Sequence, residues 1–197
     1  MIGIPTYVTR YYRQGENPFL SLNDLPLSEA NKVKRRHCQR DHIGGFYAED
    51  DYLAHRLGIE KWIYHQLIFK GGNPRNTVPV YMTLGDSPCG QFDIRADLQK
   101  NAAELRIPIE ALDTSAISFT FPDSMYQIIL DDAGHIIRGG RTNTPIVYTF
   151  AELAYVLNKY ENYLSEHYVE AQVWDRDMLR GFVDRQGKQP GMPENAR

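Results

Sequence analysis

The stretch "YVEAQVWD", residues 168–175, decides the fold, because its alternation predicts a strand with two unlike sides. The odd-numbered residues from 169 to 173 are small and apolar, whereas Glu170 and Gln172 are polar. Trp174 lies on the side of the two polar residues. A side that faced only water would seldom carry a tryptophan. The pattern therefore predicts that the polar side of this strand is partly covered or lines a groove.

The clearest helix pattern in the first half of the chain spans residues 52–70, and Gly71 is placed to end it. An earlier helix is expected to follow Asp24, which can cap it, and Pro26, which suits a first turn. The two segments predict a helical hairpin over one face of a sheet. The predicted buried residues of the second helix are Leu53, Leu57, Tyr64 and Ile68, widened by Ile59, Ile63 and Leu67.

A third helix is predicted over residues 148–164, where Thr149 and Glu152 have the spacing of a capping box. Short alternating segments with short links fill much of the remaining chain, which favours an antiparallel or mixed sheet over repeated βαβ units. One of them, 126–140, is read as a hairpin. The predicted strands are 6–13, 77–84, 105–109, 117–121, 168–174 and the two arms of that hairpin.

These elements predict an α+β fold: a mostly antiparallel or mixed sheet with a helical hairpin and a third, capped helix packed on it. Residues 1–184 are expected to form a single domain. Residues 185–197 are predicted to be a flexible tail, because they combine two prolines and two glycines with no apolar pattern.

Composition restricts the class of protein. The net charge is −3, with 22 Lys and Arg against 25 Asp and Glu, so the strongly basic balance of a dedicated nucleic-acid binder is missing. No apolar run approaches the roughly 18 residues of a membrane helix. Two separated cysteines make no disulfide framework, and no signal-peptide pattern opens the chain. We therefore expect a soluble cytoplasmic protein with no membrane partner. The sequence does not indicate how many copies associate.

The sequence contains none of the common motifs for a metal site, a phosphate site or a serine hydrolase. The histidines at 37, 42, 55 and 65 lack the spacing that places two imidazoles on one helix face, so no metal site is predicted. The glycine pairs in "FKGGNPRN" (69–76) and "RGGRTN" (138–143) lie beside cations but lack a P-loop or G-x-G-x-x-G pattern. A helix end and a hairpin end explain both. No serine has the G-x-S-x-G context of a hydrolase.

The strands "YVTRYY" (7–12), "VPVYMTLG" (78–85) and "YVEAQVWD" resemble, in order and in polar residues, the pattern of ADP-ribosyltransferases. That resemblance implies an NAD-dependent enzyme with Arg10, Tyr81 and Glu170 as catalytic residues. Tyr7 and Arg75 are the candidate cofactor contacts. The chain departs from the family pattern, since no histidine is on the first strand and no Ser-Thr-Ser follows the second.

Four longer segments resemble a family of small bacterial proteins whose function is not known: 9–26, 69–88, 117–125 and 168–175. This resemblance implies a bacterial, single-domain protein and transfers no activity.

Two functional hypotheses therefore stand. In the first, the protein binds a small molecule or another protein through a tyrosine-rich cleft, with the loops at 85–91 and 138–144 as the contact surface and with no cofactor. In the second, it is an ADP-ribosyltransferase-like enzyme that uses NAD. Whether Glu170 lies in a cleft is the point on which both depend.

Overall fold

The computed structural model describes residues 2–41, 49–88, 93–98 and 101–187. They form an α+β fold with a five-stranded antiparallel sheet in the order β3-β1-β2-β7-β4, and a separate two-stranded hairpin of β5 and β6. The strands are β1 (Tyr7–Arg13), β2 (Val80–Leu84), β3 (Ala102–Pro108), β4 (Ile117–Thr120), β5 (Tyr126–Leu130), β6 (Ile136–Arg141) and β7 (Glu170–Val173). The helices are α1 (Leu27–Asp41), α2 (Tyr52–Phe69), α3 (Ile94–Leu98), α4 (Leu153–Lys159) and α5 (Arg176–Gly187).

The predicted strand at 168–174 becomes β7, which lies in the sheet between β2 and β4. Ala171 pairs with Met82 on one side and with Phe119 on the other. Because side chains alternate across a strand, this register gathers the apolar residues of the neighbouring strands on one face. α4 and α5 cover that face and supply Leu153, Val156, Leu157, Leu179 and Phe182 to the main core.

The other face of the sheet is covered by α1 and α2, as the helical-hairpin prediction requires. Trp174 is fully buried there, packs edge-on against Tyr64 with ring centroids 5.6 Å apart, and donates its indole N–H to Ser118. The prediction that this side of β7 is covered is therefore confirmed.

The predicted buried stripe of α2 is only partly right. Ile59, Ile63 and Leu67 are buried, but Leu57 is 37% and Ile68 is 47% exposed. The side of α2 that faces the sheet carries Arg56 and Glu60, because these two side chains take part in a buried polar cluster. Burial of charged groups on an otherwise apolar face could not be expected from apolar spacing alone.

Two predicted helix-end features are present in the structure. Gly71 takes φ +86°, and the N–H groups of Gly71 and Gly72 donate to Ile68 and Leu67 in a Schellman arrangement. Thr149 and Glu152 form the predicted capping box. It opens a 3-10 turn before α4, however, and the α-helix ends at Lys159 rather than at the predicted 164.

Two boundaries differ from the sequence interpretation. Asp24 does not cap α1; it belongs to a capping box with Ser21, and its carboxylate contacts Arg176 at 2.5 Å. α5 continues to Gly187, past the predicted domain boundary at 184. Residues 188–197, and residues 89–92 in and beside the predicted contact loop 85–91, lie outside the described part. In the described part of the chain, no helix has the length and apolarity needed to cross a bilayer.

Candidate functional site

The candidate site is a cleft that opens where β1 and β2 separate. The two strands pair at Val8–Leu84 and Thr9–Thr83, after which β1 stays paired with β3 while β2 stays paired with β7. A cavity of about 70 Å³ lies at this split. It is lined by Thr9, Arg10, Tyr11, Tyr81, Met82, Thr83, Ile94, Tyr168 and Glu170.

Arg10 fixes the geometry of the split. Its guanidinium donates from Nε to the carbonyl of Pro18 at 2.7 Å and from Nη1 to that of Tyr81 at 2.9 Å. Nη2 lies 3.5 Å from the carbonyl of Leu20. Burial, followed by the charge of Arg56, lowers the pKa of Arg10 to about 10, so the side chain stays a cation at neutral pH. Its donors are directed at backbone, which makes Arg10 a clamp between strands.

Glu170 is held through one of its two oxygens. Oε2 accepts hydrogen bonds from the Ser124 N–H at 2.9 Å, from Gln172 Nε2 at 2.9 Å and from Thr120 Oγ1 at 3.4 Å. The described residues donate no hydrogen bond to Oε1. Glu170 is half-buried and lines the cavity, so Oε1 is the acceptor that it can offer to a ligand.

A chain of hydrogen bonds across three strands orients this carboxylate. The indole of Trp174 donates to Ser118, the hydroxyl of Ser118 donates to the amide oxygen of Gln172 at 2.8 Å, and Gln172 donates to Glu170. Gln172, Ser118 and Trp174 are all fully buried. A satisfied buried network of this kind restricts its members to one arrangement.

Asp123 places a second carboxyl group close to Glu170. Its Oδ1 accepts from the N–H groups of Met125 at 2.7 Å and of Tyr126 at 2.8 Å. Burial, and then the negative charge of Glu170, raises the pKa of Asp123 to about 7. The loop after β4 therefore supplies the Asp123 carboxyl group, which titrates near neutrality, and the Ser124 N–H, which orients Glu170.

Arg56 and Tyr52 of α2 form a polar cluster with Tyr81 of β2 between the helix and the sheet. The guanidinium of Arg56 lies 3.9 Å from the ring centroid of Tyr81 and donates to the Tyr52 hydroxyl at 2.7 Å. The Tyr81 hydroxyl donates to Glu60 Oε1 at 2.9 Å, and Arg56 Nε lies 3.5 Å from the same oxygen. Burial raises the pKa of Glu60, although Arg56, Asn23 and Tyr81 each lower it. The cluster anchors α2 to the polar face of the sheet.

The five predicted site residues fall into two groups. Arg10, Tyr81 and Glu170 line one cavity. Tyr7 and Arg75 do not line it. The Tyr7 hydroxyl donates to Asp86 at 3.0 Å, and Arg75 is exposed beside Trp174, whose carbonyl accepts its backbone N–H. Trp174 directly follows β7 and is ~13 Å from Glu170 along an extended chain.

Sequence reasoning missed most of the surrounding cluster. Arg56 and Glu60 are four residues apart within the apolar face of a helix, but this spacing does not show that they are buried. Thr9, Tyr11 and Tyr168 carried none, since only the strand order places them together. Among the described residues, no group of three His, Cys, Asp or Glu side chains is arranged to hold a metal ion.

No protein-family model, curated protein or solved structure matches the chain, so its function must be argued from the geometry of this cleft.

Proposed function

We propose that the protein binds a small ligand, or a small group of a larger partner, in the tyrosine-lined cleft at Glu170. The observation that carries the proposal is a free carboxylate oxygen and an unpartnered hydroxyl on two residues that line that cavity. Glu170 Oε1 receives no hydrogen bond from the described residues. Thr9 is fully buried, lines the same cavity, and its Oγ1 has no hydrogen-bond partner in the described part of the chain. A buried hydroxyl without a partner is uncommon and costly.

The size and walls of the cleft indicate what it would take. About 70 Å³ accommodates a group of a few heavy atoms rather than a whole nucleotide. Tyr11, Tyr81 and Tyr168 provide aromatic surface, and the Glu170 oxygen accepts a donated proton. The ligand group expected here is therefore compact, bears N–H or O–H donors, and lies against aromatic rings.

A melting-temperature screen with small probes tests the proposal. Acetamide, methylguanidinium and propylammonium carry N–H donors, whereas acetate has acceptors only. A probe at ten times its dissociation constant adds about 1.4 kcal/mol, which corresponds to about 3–6 °C for a chain of this size. We expect at least one donor probe to raise the melting temperature and acetate to leave it unchanged.

Glu170→Gln is the decisive variant. Ser124 and Gln172 donate to the Oε2 position, so the new side chain should keep its oxygen there and present its NH₂ group where Oε1 was. The donor probes should then lose their effect. Glu161→Gln, on an exposed residue, is the matched control. Equal shifts in wild type and Glu170→Gln, or no shift with any probe, would refute the proposal.

Thr9→Val separates binding from stability. The substitution keeps the shape of the side chain and removes a hydroxyl that has no partner, so the free energy of unfolding should not fall. Probes that donate to this hydroxyl should bind more weakly. A clear loss of stability would show that Thr9 is a structural residue of the cleft.

A second candidate, NAD-dependent ADP-ribosyl transfer, is supported by one observation: Arg10, Tyr81 and Glu170 line the same cavity. In that reaction the bond between ribose C1′ and the nicotinamide nitrogen breaks, and its electron pair stays with nicotinamide. The acceptor atom bonds to C1′, and its proton passes to a base such as Glu170. Only one end of NAD would fit the cavity. Millimolar NAD in the same screen, with no shift in melting temperature, would contradict this candidate.

A further inference from the structure

Two carboxyl groups at the cleft have no basic partner. In the described part of the chain, neither Glu170 nor Asp123 forms an ion pair with a lysine, arginine or histidine. The hydrogen bonds to them come from uncharged donors: backbone N–H groups, an amide and a hydroxyl. A carboxylate that is shielded from water without a cation beside it is costly. A bound positive charge would therefore stabilise this end of the cleft.

The guanidinium groups near the cleft are directed at other partners. Arg10 lines the cavity, but its N–H groups point at backbone carbonyls. Arg56 donates to the Tyr52 hydroxyl and lies 3.5 Å from Glu60. The charged and titratable groups around the two carboxyls are Arg10 and Glu16 on the β1 side, Tyr81 of β2, and Tyr52, Arg56 and Glu60 of α2. Counted with Glu170 and Asp123, the carboxyl groups of this set outnumber its guanidinium groups.

A buried hydroxyl in the same cavity independently indicates a ligand. Thr9 is fully buried, and its Oγ1 has no hydrogen-bond partner among the described residues. It lines the cavity of about 70 Å³ together with Glu170, Tyr11 and Tyr168. The face of a tyrosine ring attracts a cation. The cavity thus combines a carboxylate oxygen, a hydroxyl oxygen and aromatic surface, and its size suits a group of a few heavy atoms.

We infer that the ligand group of this cleft is a compact organic cation, a guanidinium or a primary ammonium, which donates to Glu170 Oε1 and Thr9 Oγ1. This inference rests on the proposed function and narrows its ligand class from any N–H or O–H donor to a charged one. A neutral donor of the same shape should bind more weakly, because it leaves the excess negative charge in place.

Asp123 makes the binding of a cation depend on pH. Burial, and then the charge of Glu170, raises the pKa of Asp123 to about 7. A cation at Glu170 favours the ionised form of Asp123, so binding should release a proton to the solvent. The bound state then carries fewer protons, and affinity should rise between pH 6 and pH 8. If binding lowers this pKa by about one unit, the dissociation constant at pH 8 should be about one fifth of that at pH 6.

Isothermal titration calorimetry with methylguanidinium and with methylurea, its neutral isostere, tests the ligand class. Methylguanidinium keeps its charge throughout this pH range. At pH 8 it should bind about tenfold or more tightly than methylurea, and Glu170→Gln should remove this difference. Titrations at pH 7 in phosphate and in MOPS, whose ionisation enthalpies differ, measure the protons released. About 0.4 proton per bound cation is expected for a fall of one unit in the pKa of Asp123.

Asp123→Asn is the matched variant for the pH dependence. Its amide resembles the protonated carboxyl and keeps an acceptor for Met125 and Tyr126. It should bind methylguanidinium equally at pH 6 and pH 8, near the wild-type affinity at pH 6, without releasing a proton. Asp132→Asn removes the same charge from an exposed residue between β5 and β6 and should behave as wild type. Melting curves of both variants verify that they are folded.

The outcomes separate this inference from the proposed function. Methylurea that binds as tightly as methylguanidinium, with both lost in Glu170→Gln, would overturn the cation inference and leave the ligand-binding cleft in place. Binding of neither probe would overturn the inference, and the proposed function would fall with it if propylammonium and acetamide also failed to bind. Methylguanidinium binding with no proton release and no pH dependence would show that the cation does not lie beside Asp123.

Discussion

At the scale of single residues, the sheet face under α2 buries several polar side chains, although apolar burial alone would favour none of them. Glu60 is 2% exposed, and Gln172 and Ser118 are fully buried. Gln172 is tolerated because it bonds Ser118, Thr120 and Glu170. Glu60 Oε1 accepts from Tyr81 and lies near Arg56, whereas Glu60 Oε2 is buried without a hydrogen-bond partner in the described part of the chain. The chain of hydrogen bonds from Trp174 through Ser118 and Gln172 fixes the orientation of Glu170, which lines the cleft.

Asp123 gives a prediction at this scale. Its pKa is about 7 in the folded protein and near 4 in the unfolded chain, so the folded state binds more protons between these values. Stability should therefore fall as pH rises from about 4 to about 7 and stay lower above that range. Asp123→Asn keeps the acceptor for Met125 and Tyr126 and removes the repulsion by Glu170. It should be more stable than wild type at pH 8, by on the order of a few kcal/mol.

Urea unfolding at pH 4.5, 6 and 8 measures this difference. The gain of Asp123→Asn over wild type should shrink toward pH 4.5, while Glu60 keeps a pH dependence of the same sign in both proteins, because burial raises its pKa too. Asp123→Ala is the control, since it loses the charge and the two backbone contacts together. A gain that is the same at every pH would mean that Asp123 does not titrate near neutrality.

At the scale of elements, α2 contains two glycines with opposite roles. Gly71 ends the helix at φ +86°, a conformation that costs an L-residue with a side chain roughly 1 kcal/mol. Gly58 is helical, with open space around its Cβ direction. Gly71→Ala should therefore destabilise the fold by about 1 kcal/mol, whereas Gly58→Ala should stabilise it by about 0.5–1 kcal/mol.

Urea unfolding measures both variants. If Gly58→Ala lost stability, the added methyl group would not have the open space that the structure gives it. If Gly71→Ala were neutral, the left-handed end of the helix would not be what terminates it.

At the scale of the whole molecule, the sheet lies between α4 and α5 on one face and α1 and α2 on the other. β4 is protected at its outer edge, where Phe119 pairs with Tyr148. β3 ends the other side of the sheet and carries Glu104, Arg106 and Pro108, which discourage pairing with a further strand. The cleft exists because β1 leaves β2 before either strand ends.

The sequence predicted what short-range patterns determine. The α+β class, the alternation of β7, the capping box at Thr149 and the glycine stop at Gly71 all depend on residues near one another in the chain. It could not predict the strand order, which brings Thr9 and Tyr11 beside Glu170. Nor could it predict the buried face of α2, because Arg56 and Glu60 are compensated only by tertiary partners. Tyr81 and Glu170 follow from the resemblance of their strands to ADP-ribosyltransferases, whereas the sequence shows no partner for a single aspartate such as Asp123.

Carbon-13 NMR of the side-chain carboxyl groups tests the central claim most directly, because it observes Glu170 itself. On titration with methylguanidinium, propylammonium or acetamide, the account predicts that the Glu170 carboxyl signal and the ring signals of Tyr11 and Tyr168 move together for at least one probe. Exposed carboxyl groups such as Glu161 should stay in place. Shifts spread evenly over exposed carboxylates, with Glu170 unmoved by all three probes, would contradict a ligand-binding cleft at this residue.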